Sequence, residues 1–233
     1  MDATPFFVRV ELEGWELFWA RVECGSDHSG LEVVRQRVVE GIRARYHDAS
    51  EIASSPPISA LRKLFRAAGC DPTRYRPSSE ALLRRLVKGA ELPAIHPLVD
   101  VNNCLSAKIG VPCCVMREGS FGSRLVFRAG LAGESYESLR GPFNLENKPL
   151  LVDEIGPVDA PITGSTRVMV EPLTTRAWLV AYLPHGMVAA DDAWTVLEAF
   201  SREVGVEAER SATSVVVPPS CDKNSKQVDF IDI

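Results

Sequence analysis

The sequence has no apolar run approaching the roughly 20 residues that a membrane-spanning helix needs, so no transmembrane helix is expected. Its first residues, Met1-Asp2-Ala3-Thr4-Pro5, lack the basic region and apolar core of an export signal, and a cytoplasmic protein with no membrane association is expected. Cys-x-x-Cys pairs are also missing. Cys24, Cys70, Cys104, Cys113, Cys114 and Cys221 have no histidine at zinc-binding spacing, so no metal and no cofactor is expected, and buried reduced thiols are the plain reading. Low-complexity tracts and long linkers are absent too, which argues against extended disorder or separate cores. With 45% hydrophobic residues in 233, the chain can fill a large interior. The expected organisation is one domain over residues 1–205, followed by a C-terminal extension over 206–233 that is partly mobile.

Charge is unevenly spread. Between Leu61 and Ala90, Arg62, Lys63, Arg66, Arg74, Arg76, Arg84, Arg85 and Lys88 stand against Asp71 and Glu80, a local +6 that leaves −11 for the rest of a chain with net charge −5. Local charge governs phosphate contact, so the segment suits a local nucleic-acid contact; a solvated helical face explains it equally well.

Phe6 to Val10 and Trp15 to Val22 are apolar and aromatic on either side of Glu13-Gly14, the pattern of a hairpin. Leu31, Val34, Val38, Ile42 and Tyr46 recur at helical spacing, so a helix is expected over Gly30 to Tyr46, and a second over Ser59 to Ala68. A third opens at Pro77-Ser78-Ser79-Glu80 and closes at Lys88-Gly89; a fourth runs from Leu98 to Ile109 with Leu98, Val101, Leu105 and Ile109 in one stripe. Strand patterns follow at Pro112–Arg117, Arg124–Arg128, Leu150–Glu154, Arg167–Val170 and Arg176–Leu183, then a helix from Asp191 or Asp192. Val215-Val216-Val217 reads as an edge strand stopped by Pro218-Pro219, and Ser220 to Gln227 as mobile. Helices first and a mostly antiparallel sheet later indicate an α+β fold with packed helices.

Several short pieces recur in a telling order: Asp71-Pro72, Tyr75-Arg76-Pro77-Ser78, Leu82-Leu83-Arg84-Arg85, Lys88-Gly89, Val99-Asp100-Val101-Asn102-Asn103 and Gly110-Val111-Pro112. Over roughly Leu61 to Pro184 the chain resembles the tRNA-binding and editing domain of the phenylalanine-tRNA synthetase β subunit, in its free-standing single-domain branch. Ser165-Thr166-Arg167 and Thr174-Thr175-Arg176 also look like that branch. The resemblance implies a trans-acting editing hydrolase that deacylates mischarged tRNA, with the tRNA acceptor end as partner. A non-catalytic tRNA or RNA-binding module and an amino-acid-binding protein are the alternatives.

Asn103 is the first candidate pocket residue, because an amide both donates and accepts and can hold an amino group, a ribose or a water; satisfying nearby backbone is its other use. Asp100 reads as a helix cap or an ion-pair partner. The resemblance implies a histidine two positions after the Gly-x-Pro proline, but Cys114 stands there, and His28, His47, His96 and His185 lie elsewhere. The family's glycine-rich segment with its pocket glutamate is likewise replaced by Pro161-Ile162-Thr163-Gly164-Ser165. Cys114 can line a pocket, whereas acting as a nucleophile would require a base that the sequence does not reveal. Thr163, Ser165, Glu171 and Thr175 suit a pocket rim or ordinary turn chemistry, and His96 and His185, each beside a proline, suit loops. Arg74, Arg76, Arg84, Arg85 and Lys88 are the tRNA-binding candidates, or else they brace their helix against acidic neighbours.

Overall fold

In the computed structural model, which describes residues 6–211 and 214–216, the first two strands part company. Strand β1 (Phe7–Val10) lies parallel to β4 (Arg124–Ala129), with Phe7 opposite Arg124 and Val10 opposite Phe127. Strand β2 (Trp15–Cys24) instead pairs antiparallel with β10 (Arg176–Pro184), from Trp15 opposite Pro184 to Glu23 opposite Arg176. The expected hairpin therefore does not form, and the segment around Gly14 carries the chain from one sheet to another. Gly14 has φ +78°, and a Cβ there would meet Leu64 Cδ2 at 2.7 Å. Its glycine serves a close approach to a helix as well as a turn. What draws β1 away is the interior: Phe6 meets Trp19, Phe121 and Trp178 edge-on, with ring centroids 4.9, 5.4 and 4.7 Å apart.

Among the described residues there are two main sheets. One has the order β11 (Val206–Ser211), β2, β10, β3 (Cys113–Arg117); the other has the order β12 (Ser214–Val216), β1, β4, β7 (Pro149–Val152), β8 (Pro157–Ala160), β9 (Thr163–Gly164). A short hairpin, β5 (Ser135–Ser138) with β6 (Gly141–Asn144), stands beside the second sheet. Antiparallel pairing dominates, with β1 parallel to both β4 and β12. Helices α5 (Pro97–Ile109) and α6 (Ala190–Glu203) cover one face of the four-stranded sheet, and α1 (Leu31–Arg45) packs on both. Helices α2 (Ala49–Ser54), α3 (Pro56–Ala67) and α4 (Ser78–Val87) complete an α+β architecture.

The other face of that sheet meets the six-stranded one: Phe127 of β4 packs on Tyr182 of β10 at 5.3 Å and on Trp15 at 5.3 Å. Residues on one strand alternate between the two faces, so β10, covered on both, is buried from Ala177 to Pro184.

Two further expectations are corrected. Arg167–Val170 is no strand: Thr166–Val168 forms a single 3-10 turn, because the Ser165 hydroxyl caps it by accepting from the Arg167 N–H while the Arg167 guanidinium pairs with buried Asp153. The stretch after Gly205 is not outside the fold either, since Val206–Ser211 forms β11 on β2. Helix α2, too short for a periodic signal, is capped by Asp48, which accepts from the Ser50 and Glu51 N–H groups. Residues Ser214–Val216 form the edge strand; Val217, the prolines after it, Cys221 and Ser220 to Gln227 lie outside the described residues.

Asp100 ties the helices together. Its Oδ1 accepts from the Ile95 N–H at 2.9 Å and the His96 N–H at 3.4 Å, and its Oδ2 from Arg35 of α1 at 2.5 Å. The carboxylate is buried, so removing it leaves two amides without their acceptor and the half-buried Arg35 guanidinium with only the exposed Glu32 as a partner. Asp100→Ala should destabilise the protein by about 3–5 kcal/mol in urea denaturation, whereas Arg85→Ala on the exposed face of α4 should stay within about 0.5 kcal/mol.

Candidate functional site

Helix α5 begins at Pro97, its first helical residue, with the His96 ring Nδ1 accepting from the Leu98 N–H at 3.3 Å. It ends at Gly110, which adopts the left-handed conformation (φ 74°, ψ 20°) and returns its N–H to the Ser106 carbonyl. Ser106 Oγ then holds the Val111 carbonyl at 2.7 Å, and the Pro112 carbonyl accepts from the Tyr182 N–H at 2.9 Å. The Gly-x-Pro sequence thus stops a helix, reverses the chain and docks it as the edge strand β3 on β10. Cys113 faces Ala181 and Cys114 faces Val180 across that pairing, so Cys114 shares the inter-sheet face with Tyr182.

Cys114 meets a polar cluster built by four strands. Asp159, at the centre of β8, is fully buried, and its Oδ2 accepts from the Tyr182 hydroxyl at 2.5 Å. Its Oδ1 has no partner. Gly164 of β9 lies over both groups: a Cβ on this exposed glycine would stand 3.6 Å from Asp159 Oδ1 and 3.9 Å from Cys114 Sγ. Tyr136 of β5 closes the side, its hydroxyl donating to the Thr163 carbonyl. Burial is the main force on every ionisation here. It lifts the Asp159 carboxyl to about 7, against a partial offset from the Tyr182 hydroxyl and the nearby Cys114 thiol. Burial and then the Asp159 charge push the Cys114 thiol and the Tyr182 and Tyr136 phenols well above their ordinary ranges. Cys114 is therefore a neutral thiol, not a thiolate nucleophile.

The amides divide. Asn102 reaches the strand, donating from Nδ2 to the Cys113 carbonyl at 3.4 Å while its buried Oδ1 is unpartnered. Asn103 is half-buried beside it and its side chain makes no hydrogen bond to the described residues. Thr163 and Cys114 come together around Gly164. Ser165 follows directly, buried, but its hydroxyl is used as the cap of the 3-10 turn. Glu171 is exposed, 3.8 Å from Arg117 at the other end of β3 from Cys113, and is not part of this cluster. His96 is a cap, and His185 is exposed near Glu16.

The basic candidates also divide. Glu80 is fully buried in the first turn of α4, accepts from Arg84 at 2.8 Å and Arg62 at 3.0 Å, and lies 4.0 Å from Arg76. Arg84 is thereby committed to the fold, since an unpaired buried carboxylate would be costly. Arg85 and Lys88 are exposed, and Arg74 lies exposed over the Tyr75 ring at 5.1 Å. The start of α4 is pinned to the segment beside this cluster: the Ser78 N–H donates to the Pro161 carbonyl at 2.9 Å, in the turn that leads to Thr163 and Gly164.

Residues 60–204 match the model of the B3/4 domain, more than half of the chain. The chain belongs to the B3/4 domain family. This is a domain type found in the phenylalanyl-tRNA synthetase β subunit. Among solved structures, an N-terminal fragment of the phenylalanyl-tRNA synthetase β-subunit from Pyrococcus horikoshii is 13% identical with a TM-score of 0.46; the match covers 88% of this chain and 51% of that one. The chain thus spans about half the length of that fragment. No curated protein matches it.

The matched span ends before β11 and begins after β2, yet both strands complete the sheet that holds this B3/4 domain's Cys114. Asp159, Tyr182 and Tyr136 were not identified from the sequence. The one available signal was an acid inside Pro157-Val158-Asp159-Ala160, a short apolar strand between Gly156 and Pro161. An acid with a folded-state pKa above its ordinary value holds a proton that the unfolded chain has released. From about 4 up to about 7 this group therefore makes stability fall as pH rises. Replacement by Asn should remove that loss. Thermal unfolding of Asp159→Asn against wild type should show the difference in midpoint shifting in the variant's favour as pH rises through this window; a constant difference would contradict the assignment.

Proposed function

We propose that this B3/4 domain is a trans-acting aminoacyl-tRNA editing hydrolase of the cytoplasm, which takes the acceptor end of a mischarged tRNA and hydrolyses its aminoacyl ester. The observation that carries this reading is the Ser78–Pro161 hydrogen bond, which joins the start of the basic helix to the turn over Cys114 and Asp159. An RNA backbone held along α4 by Arg74, Arg76, Arg85 and Lys88 has its terminal nucleotide beside the cluster. Arginine engages phosphate bidentately and lysine as a point charge. Asn103, with an uncommitted amide, is the group that holds the amino end, the ribose or a water. Cys114, Thr163 and Ser165 shape the pocket, and Glu171, at the far end of β3, has no part in it. An aminoacyl ester is labile by nature, so holding it and a water in register can supply much of the acceleration.

Purified protein should deacylate at least one member of a panel of mischarged tRNAs faster than spontaneous hydrolysis. Asn103→Ala should slow that pair by about tenfold or more, a loss of about 1.4 kcal/mol of transition-state stabilisation, while retaining the wild-type unfolding midpoint. The second reading, a non-catalytic tRNA-binding module, is favoured by the neutral Cys114 thiol at the position where the resemblance implies an imidazole. It is distinguished by salt-sensitive tRNA binding without turnover of any pair.

Binding itself offers a separate check. Arg85→Ala with Lys88→Ala should weaken tRNA binding and reduce the slope of log K against log salt by about 2. Arg84→Ala should mainly lower stability, because it leaves Glu80 underpaired. No measurable tRNA binding at low salt would refute both readings.

A further inference from the structure

We infer that Asp159 is the proton acceptor of the hydrolytic site, filling the role for which Cys114 has no suitable chemistry. The inference rests on the editing reading above. In the step it describes, Asp159 Oδ1 takes a proton from a water as the water oxygen bonds to the aminoacyl carbonyl carbon. The tetrahedral adduct then collapses, the carbon–oxygen bond to the ribose breaks, and the ribose oxygen takes the proton back from Asp159. Water and ester are consumed, amino acid and tRNA hydroxyl are formed, and the carboxylate is restored.

Three observations converge on this residue. Its Oδ1 is buried and unpartnered, so the lone pairs that would receive a proton are not used by the fold. Its Oδ2 is fixed by the Tyr182 hydroxyl at 2.5 Å, which orients the carboxyl from the strand buried most completely. The exposed Gly164 places no side chain over it, and the point a Cβ would occupy is 3.6 Å from Oδ1 and 3.9 Å from Cys114 Sγ. That is the distance range at which a small molecule would touch both.

The groups that face Asp159 are Tyr182 from β10, Cys114 from β3, Tyr136 from β5 and the Ala160 N–H of its own strand. No lysine, arginine or histidine pairs with it among the described residues, so no cation holds it ionised. Burial raises its carboxyl to about 7, where a base is both available and strong enough to accept a proton at neutral pH. An ordinary carboxylate would be ionised but weak. The same burial that makes the thiol beside it useless as a base makes this carboxyl a good one.

The test is single-turnover deacylation by the full chain, using the mischarged tRNA hydrolysed fastest in the panel, from mildly acidic to mildly alkaline pH with spontaneous hydrolysis subtracted. The wild-type rate should rise through an inflection near 7 and level off. Asp159→Asn should lose about 100-fold or more together with the inflection. Tyr182→Phe removes a hydrogen bond that favours the ionised form, so its inflection should move upward by about one pH unit. That shift decides the matter if the Asn variant does not fold.

A readout independent of turnover is the carboxyl stretch assigned by the infrared difference between wild type and Asp159→Asn. It should titrate near 7; titration in the ordinary carboxylate range would overturn the inference. So would hydrolysis that keeps its rate and inflection in Asp159→Asn, or an inflection that does not move in Tyr182→Phe, and either would leave the editing reading standing. If wild type hydrolyses no member of the panel, both fall together.

Discussion

Strand β10 is covered on both faces, and the rest of the molecule is arranged around that constraint. Every residue from Ala177 to Pro184 is buried and Tyr182 fully so, and the single hydroxyl in the run, on Tyr182, must find its partner inside. Asp159 of the opposing sheet is that partner. The consequence is a fully buried carboxyl whose charge bulk water does not solvate. An acid in such a place is kept near neutrality or held by a cation, and among the described residues no cation pairs with it. Stability and chemistry therefore meet at one side chain. A group whose burial burdens the folded state at neutral pH is also one able to exchange a proton there.

A second buried carboxylate is handled in the opposite way. Glu80 sits in the first turn of α4, where the helix N-terminus favours negative charge, and is wrapped by Arg62 and Arg84 with Arg76 near. Arg62 and Arg84, two of the eight basic residues between Leu61 and Ala90, are thus held on an internal acid, which composition cannot separate from a surface patch. What stays exposed is Lys63, Arg66, Arg74, Arg76, Arg85 and Lys88, the last two at the end of a helix whose N-terminus is bonded to the turn over the cluster. The presence of one acid decides which arginines are free.

Local chemistry made most helices readable. Pro97 and Gly110 bracket α5, Ser78 opens α4, and the aliphatic stripe from Leu31 to Ile42 marks α1. Where the reading failed, a distant residue had outbid a local preference. Glu13-Gly14 looks like a hairpin turn, yet Phe6 is drawn into the rings of Trp19, Phe121 and Trp178 and takes β1 to another sheet. Arg167-Val168 looks like a strand, yet the Ser165 cap and the pull of Asp153 wind it into a turn. Of the paired amides, Asn103 drew attention for its family position, and the fold shows its neighbour Asn102 to be the one that braces β3.

By itself the sequence determined the α+β class, the family, and the fact that a thiol stands where an imidazole would be expected, because these depend on periodicity, caps and motif order along the chain. It determined equally that a basic segment precedes Val99-Asp100. Tertiary structure alone decided that Cys114, Asp159, Tyr136 and Tyr182, spread over some seventy residues of sequence, meet in one buried cluster beneath Gly164. The reason is physical. The ionisation of a carboxyl is set by the solvent it loses and the groups that face it, and neither exists until two sheets close on each other.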